Sequence, residues 1–247
     1  MNKILKYELR ITLIKPYVLA VTIAVLLYAY YILSTDIILG VSDTAPFSGW
    51  SIGKYQGTMT LFSMLATLLI LATTFSGRLK KAEILTNVTG VSTRKRILVK
   101  SVIIGGYFLL LNLLIFIMGS VFMYALFGET AIGEYVVSWC FTVIPCLFLI
   151  LGAGGLFGRK SPILLFVFMG VLIAASFVLN GYGWDINGAG YYESMSAELT
   201  FAGSAEPAFS LSAGYILSRI LYLALGIALM IPGAADRSDI HIDRSTV

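Results

Sequence analysis

Few side chains in this sequence combine into reactive chemistry. Its one histidine, His241, lies near the C-terminal end, so no Ser–His pair and no histidine metal cluster forms within the apolar runs. Cys140 and Cys146 are six residues apart, which puts them on different sides of a helix; they read as small packing residues, neither a disulfide nor a metal pair. Asp185-Ile186-Asn187-Gly188 opens like a calcium loop, but its glycine arrives too early and no bidentate Glu follows in register. The stretch from Gly154 ends in Gly158-Arg159-Lys160-Ser161 and lacks the glycine directly before the lysine that a phosphate-cradling turn requires. Asn87-Val88-Thr89 matches a glycosylation sequon, on a segment expected to face the cytoplasm. The sequence therefore predicts no enzyme, no bound metal and no cofactor held by this chain.

What remains is polar chemistry set into apolar surroundings. Thr60, Thr67 and Thr74 recur every seven residues and, with Ser63, form one weakly polar stripe along a helix. Such hydroxyls either bond their own backbone or a neighbouring helix, or line a substrate path. Asn112 is expected to bond another helix. Arg219 stands in the outer third of an apolar run, where a central Arg would cost roughly 2.5–3.5 kcal/mol on insertion scales. It is expected to snorkel outward or pair with an external acid, with a gating contact as the sharper alternative.

These residues are carried by six apolar runs: Pro16–Leu33, Thr58–Phe75, Val102–Phe127, Val136–Phe157, Pro162–Leu179 and Gly214–Pro232. Each approaches or exceeds the roughly 18–20 residues that cross a bilayer core. With 58% hydrophobic and only 12% charged residues, the chain reads as one all-α, polytopic membrane domain over residues 1–233, followed by a short tail at 234–247. Six transmembrane helices are expected. The leader run lacks a small-x-small cleavage site and is expected to remain as the first span.

Charge orients the spans. Lys3, Lys6, Arg10 and Lys15 precede the first; Arg78, Lys80, Lys81, Arg94, Lys95, Arg96 and Lys100 follow the second; Arg159 and Lys160 follow the fourth; Arg237 and Arg244 follow the sixth. The other connections carry Lys54 against a set of acids that includes Asp36, Asp43, Glu129, Glu134, Asp185 and Glu193. Both termini are thus expected in the cytoplasm. The net charge of +4 is a topology signal and predicts no nucleic-acid partner.

The connections carry elements of their own. Residues 1–15 read as a helix ending at Pro16, with Lys3, Lys6 and Arg10 on one face for lipid headgroups; the simpler reading is a continuous first helix with topology-setting charges. Residues 34–57 read as an external loop, and Pro145 as a kink in the fourth span. Gly154 and Gly158 have the spacing of close helix contact. Residues 77–100 read as helix, turn, helix, with Gly90 as C-terminal cap and Ser92 as N-cap. The extra helix presents Lys80, Lys81, Glu83, Ile84 and Leu85, either to a cytoplasmic partner or to headgroups. The connection 180–213 has no Lys or Arg and is rich in aromatics, which suits short helices dipping back into the membrane or a lid.

The order of parts resembles the permease subunits of type-2 ABC exporters, a family that includes bacterial antibiotic and peptide-immunity transporters. The resemblance rests on the leader Met1-Asn2-Lys3-Ile4-Leu5-Lys6-Tyr7-Glu8-Leu9-Arg10, the segment Lys80-Lys81-Ala82-Glu83-Ile84-Leu85, the turn Thr89-Gly90-Val91-Ser92-Thr93-Arg94 and the long connection before the last span. It implies that the leader is an interfacial elbow helix and that Lys80 to Val91, including Gly90, is a coupling helix seated on a separately encoded ATPase. That partner would hold the ATP and magnesium. It further implies a dimer with a second permease copy or paralogue, its path lined by the second and fifth spans, where Thr60, Ser63, Thr67, Thr74, Ser176 and Asn180 are the polar candidates. The implied function is export of an amphipathic or apolar substrate, such as an antimicrobial peptide, drug or lipid-like molecule, across the plasma membrane. The alternative from a different class is a membrane scaffold or sensor that docks a cytoplasmic partner and transports nothing.

Overall fold

The computed structural model describes residues 2–42, 44–74, 93–128, 131–179, 184–201 and 208–235. Among the described residues the protein is 86% helix and has no strands. Helix α1 (Asn2–Thr12) is separated by a short bend from α2 (Pro16–Thr35), which starts on a proline that has no amide hydrogen to lose at the first helical position. After a 3₁₀ turn at Ile37–Leu39 come α3 (Gly49–Thr74), α4 (Thr93–Phe127) and α5 (Ile132–Lys160). Then follow α6 (Pro162–Val178), α7 (Ala189–Phe201) and α8 (Ala213–Ala235).

Among the described residues, five helical stretches are long and apolar enough to cross a membrane: Pro16–Leu39, α3, Leu98–Phe127 in α4, α5, and Ala213–Met230 in α8. Their outward faces carry large apolar side chains such as Leu19, Leu27, Val121, Ile220 and Leu225. This is the surface of a multi-pass membrane protein, with lipid as the solvent. The expected fifth span forms α6, an apolar helix of 17 residues that falls short of the other five in length. Ser161 caps its start by accepting a hydrogen bond from the Ile163 amide, and Pro162 occupies the first turn.

Two features differ from the sequence reading. Helix α3 begins at Gly49 rather than Thr58, so the last nine residues of the expected loop are helical. Burial carries the helix through polar residues: Ser51 and Gln56 are enclosed, and Lys54 is held between Asp36 and Glu193 at 3.4 Å each. Helix α4 begins at Thr93, in keeping with the reading of a helix that starts after Ser92 and leads into the third run. In α5, Pro145 lies inside continuous helix, and the irregularity falls at Ile150–Gly154 as a π turn.

Helix α3 is the centre: 67% of its apolar window is buried, against 22% for α2 and for α8. It packs against α2, α4, α5, α6 and α7. The chain's two ends differ in charge. Tyr17 at the start of α2 is hydrogen-bonded to Thr73 at the end of α3, and Gly154 of α5 lies against Leu68 and Leu71 of the same helix. That end gathers α1 and the Arg159–Lys160 turn, and we refer to it as the basic end. At the opposite, acidic end, Glu134 accepts the Gly49 amide at 2.9 Å and Lys54 bridges its two acids.

Helices α5 and α8 cross in backbone contact. A β-carbon on Gly152 would collide with the Gly226 carbonyl, and one on Gly226 would come within 2.6 Å of the Leu149 nitrogen. Small residues give such crossings their close approach and dispersion energy in lipid. Gly152→Val is therefore expected to destabilise the protein by about 1–3 kcal/mol through overpacking. Gly170→Val, on the exposed face of α6 with nothing within 4 Å, should leave stability unchanged. Thermal melting of both variants in detergent measures the difference.

Candidate functional site

A buried charge pair organises the acidic end. Arg219 on α8 and Asp185 in the connection before α7 are each 1% exposed, with Nη2 and Oδ1 3.1 Å apart. The guanidinium also donates from Nη1 to the Ile186 carbonyl at 2.5 Å and from Nη2 to the Asp185 carbonyl at 2.6 Å. The second carboxylate oxygen accepts the amides of Gly190 at 2.9 Å and Tyr191 at 3.3 Å, in the first turn of α7. There the carboxylate also meets the positive end of the helix dipole. Burial pushes the Asp185 carboxyl above its ordinary pKa, while Arg219 and the two amides pull the other way by favouring the charged form.

Aromatic rings complete the enclosure. The Arg219 guanidinium lies 4.2 Å from the centre of the Tyr215 ring and 5.6 Å from that of Tyr222. Tyr215 stacks on Tyr191 with centroids 3.9 Å apart. The hydroxyls of Thr142, Tyr192 and Tyr215 form a triangle with sides of 3.3–3.4 Å, linking α5, α7 and α8. Tyr222 donates to the Trp184 carbonyl, and the Cys146 thiol to that of Ile186 at 3.4 Å. Gly188 has φ of +83°, and a β-carbon there would stand 2.6 Å from the Tyr215 hydroxyl. A glycine alone suits both the backbone and the space.

Helix α7 reaches this depth because α3 offers it a glycine face. Gly49, Gly53 and Gly57 fall one turn apart; a β-carbon on Gly53 would lie 2.5 Å from the Tyr192 ring, and one on Gly57 2.5 Å from the Ala189 nitrogen. The Asn187 amide donates to the Gly57 carbonyl at 3.3 Å. At its far side α7 is tied to the 37–48 loop: Ser42 donates to the Glu193 carbonyl and Thr200 to that of Ser42, both at 3.2 Å. The connection before the last span thus contains a helix folded back against the bundle.

Of the polar residues singled out in the sequence, Thr60, Ser63, Thr67 and Thr74 lie buried along α3. Ser63, Thr67 and Thr74 donate to carbonyls one turn back at 2.7–2.9 Å, and Thr60 reaches Asn112 Oδ1 on α4 at 3.4 Å. Ser176 on α6 donates to the Ile173 carbonyl at 2.8 Å. Lys6 and Arg10 are exposed on α1, which also contains Lys3. The segment with Lys80, Lys81, Glu83, Ile84, Leu85, Gly90 and Val91 lies outside the described residues, as does Asn180. Arg219 takes the acidic partner expected of it, and that partner is Asp185. The free thiols Cys140 and Cys146 are unpaired with each other, and no group of three metal-ligating side chains occurs among the described residues.

The sequence reading missed the role of the aromatics as a cage and the docking face on α3. The repeated four-residue spacing of Gly49, Gly53 and Gly57 was the available signal, hidden inside an expected loop. Chemically, the arrangement is a clamp that neutralises a charge and pins α7 between α3 and α8.

Removing one member of a buried pair strands the other, at about 3–5 kcal/mol, whereas replacing both by apolar residues is often close to neutral. Arg219→Met and Asp185→Leu are each expected to lower the melting temperature strongly, and the double variant to lose less than the sum of the two. Additive losses in a detergent melt of the four proteins would contradict the clamp. Compared with family models, with curated proteins and with solved structures, the chain matches none.

Proposed function

We propose that this chain is the membrane-spanning permease subunit of an ABC exporter. The observation that carries the reading is the basic end of the bundle. There an amphipathic helix, separate from the first span, packs against α4, and the sequence that precedes α4 is rich in Lys and Arg. A separate amphipathic leader together with a basic connection in the sequence supports a subunit that docks a cytoplasmic motor. In this reading α6 is the fifth of six spans, both termini are cytoplasmic by charge retention, and the membrane is the plasma membrane. Lys80 to Val91 docks on an ATPase that binds ATP and magnesium, and two permease halves form the path.

Energy enters by differential binding of ATP to two states of the assembly. The hydroxyls of α3 are already occupied within the chain, so a path between halves meets mainly the apolar surface of α6, including Phe166, Val167 and Val171. That surface suits an amphipathic or apolar substrate. The same occupied stripe favours a second reading, a scaffold or sensor subunit that docks a cytoplasmic partner without transporting anything.

A mild-detergent pull-down of the tagged chain from its own membrane separates the two. Under the transporter reading an ATPase co-purifies in roughly equal amount, and Glu83→Lys or Gly90→Val abolishes ATPase stimulation without changing membrane insertion. A kinase or assembly factor in the ATPase's place would establish the scaffold reading.

A further inference from the structure

We propose that ordered water occupies a closed site between α3, α5 and α7, held by Gln56 and Ser138. Gln56 is completely buried, and neither its amide nitrogen nor its oxygen has a hydrogen-bond partner among the described residues. The Ser138 hydroxyl is equally buried and makes no hydrogen bond of ordinary geometry, its one polar neighbour among the described residues being the Tyr192 hydroxyl. Buried polar groups in folded proteins are almost always bonded, to protein or to ordered water. An unmet primary amide loses its hydration without compensation, and bilayer hydrocarbon offers it no relief.

The packing brings the two orphans to one level. Helices α3 and α5 run in the same direction: Gly49 is level with Glu134, and Leu71 with Gly154. That register places Gln56 beside the turn from Ser138 to Thr142. On the same face of α3, one turn toward the acidic end, Gly53 receives the Tyr192 ring. The Tyr192 hydroxyl bonds Thr142 at 3.3 Å and has Ser138 beside it. The site is therefore framed by Gln56, Ser138, Thr142 and Tyr192, all 0% exposed.

The chemistry of the frame selects the occupant. None of the four carries a charge at neutral pH, so the occupant is neutral. Gln56 leaves both donors and an acceptor unfilled, so the occupant must donate and accept at once. Complete enclosure requires that it be small. Water meets all three conditions, with enough polar partners to be retained.

X-ray hydroxyl-radical footprinting of the full chain in detergent tests the proposal, because radicals form at bound water and mark the side chains touching it. Tyr55 is the control: it is equally buried, and its hydroxyl donates to the Ile115 carbonyl on α4. Tyr192 is expected to be modified several-fold faster than Tyr55, and Gln56→Met to bring it down to the control rate. Equal rates for the two tyrosines in the unaltered protein would overturn the proposal. So would Tyr192 labelling that persists unchanged in a folded Gln56→Met variant. Should that variant fail to fold, Ser138→Ala carries the same expectation, and the comparison within the unaltered protein decides by itself.

Discussion

Hydrocarbon gives a buried guanidinium nothing to bond, so Arg219 has to be neutralised and hydrogen-bonded from within the chain. Most of the architecture at the acidic end follows from that requirement. Asp185 supplies the countercharge, but a lone carboxylate would itself be stranded. It is held by the first-turn amides of α7, which fixes where that helix starts. The carbonyls of Asp185 and Ile186 fill further positions on the guanidinium, so the backbone before α7 curls around the cation. The tyrosines then exclude lipid and water alike. One charge on α8 thereby determines the path of the connection that precedes it.

The same constraint explains the polar residues of α3. Each hydroxyl in the stripe either returns to its own helix or meets Asn112, the cheapest way to carry a hydroxyl through a dry interior. Lys54 is handled differently. It stands near the acidic end, partly exposed between two carboxylates, where water still reaches the ions and the pairing is weak but costs little. Depth decides which device is used: backbone return in the interior, a caged ion pair beneath α7, an ordinary surface bridge at the rim.

Much of the helical layout was legible because it depends on composition alone. An apolar run of span length is a local property, and among the described residues five of the expected runs form helices of that length. The extended start of α3 was not legible, because Gly49, Lys54 and Gln56 argue locally against a buried helix. Only the arrival of α7, some 130 residues later in sequence, makes glycine the right residue there. The π turn was displaced from Pro145 for a related reason: the crossing with α8 at Gly152 and Gly226 sets where α5 must yield. Arg219 was legible as a problem seeking an acid. Which acid answers it depends on a fold-back that no spacing encodes.

The glycine face of α3 has a consequence for biosynthesis. A chain threaded into the membrane from its N-terminus delivers α3 long before α7 exists, leaving Gly53, Gly57 and the buried amide of Gln56 uncovered during the intervening synthesis. Arg219 arrives later still, 34 residues after its partner. Helix α7 therefore cannot settle permanently when it emerges, since the cation that anchors Asp185 is not yet made. The Asp185–Arg219 pair that anchors α7 closes only once α8 has been made. A quality-control factor that recognises exposed polar groups within the bilayer would find its target on α3 until that moment and lose it afterwards.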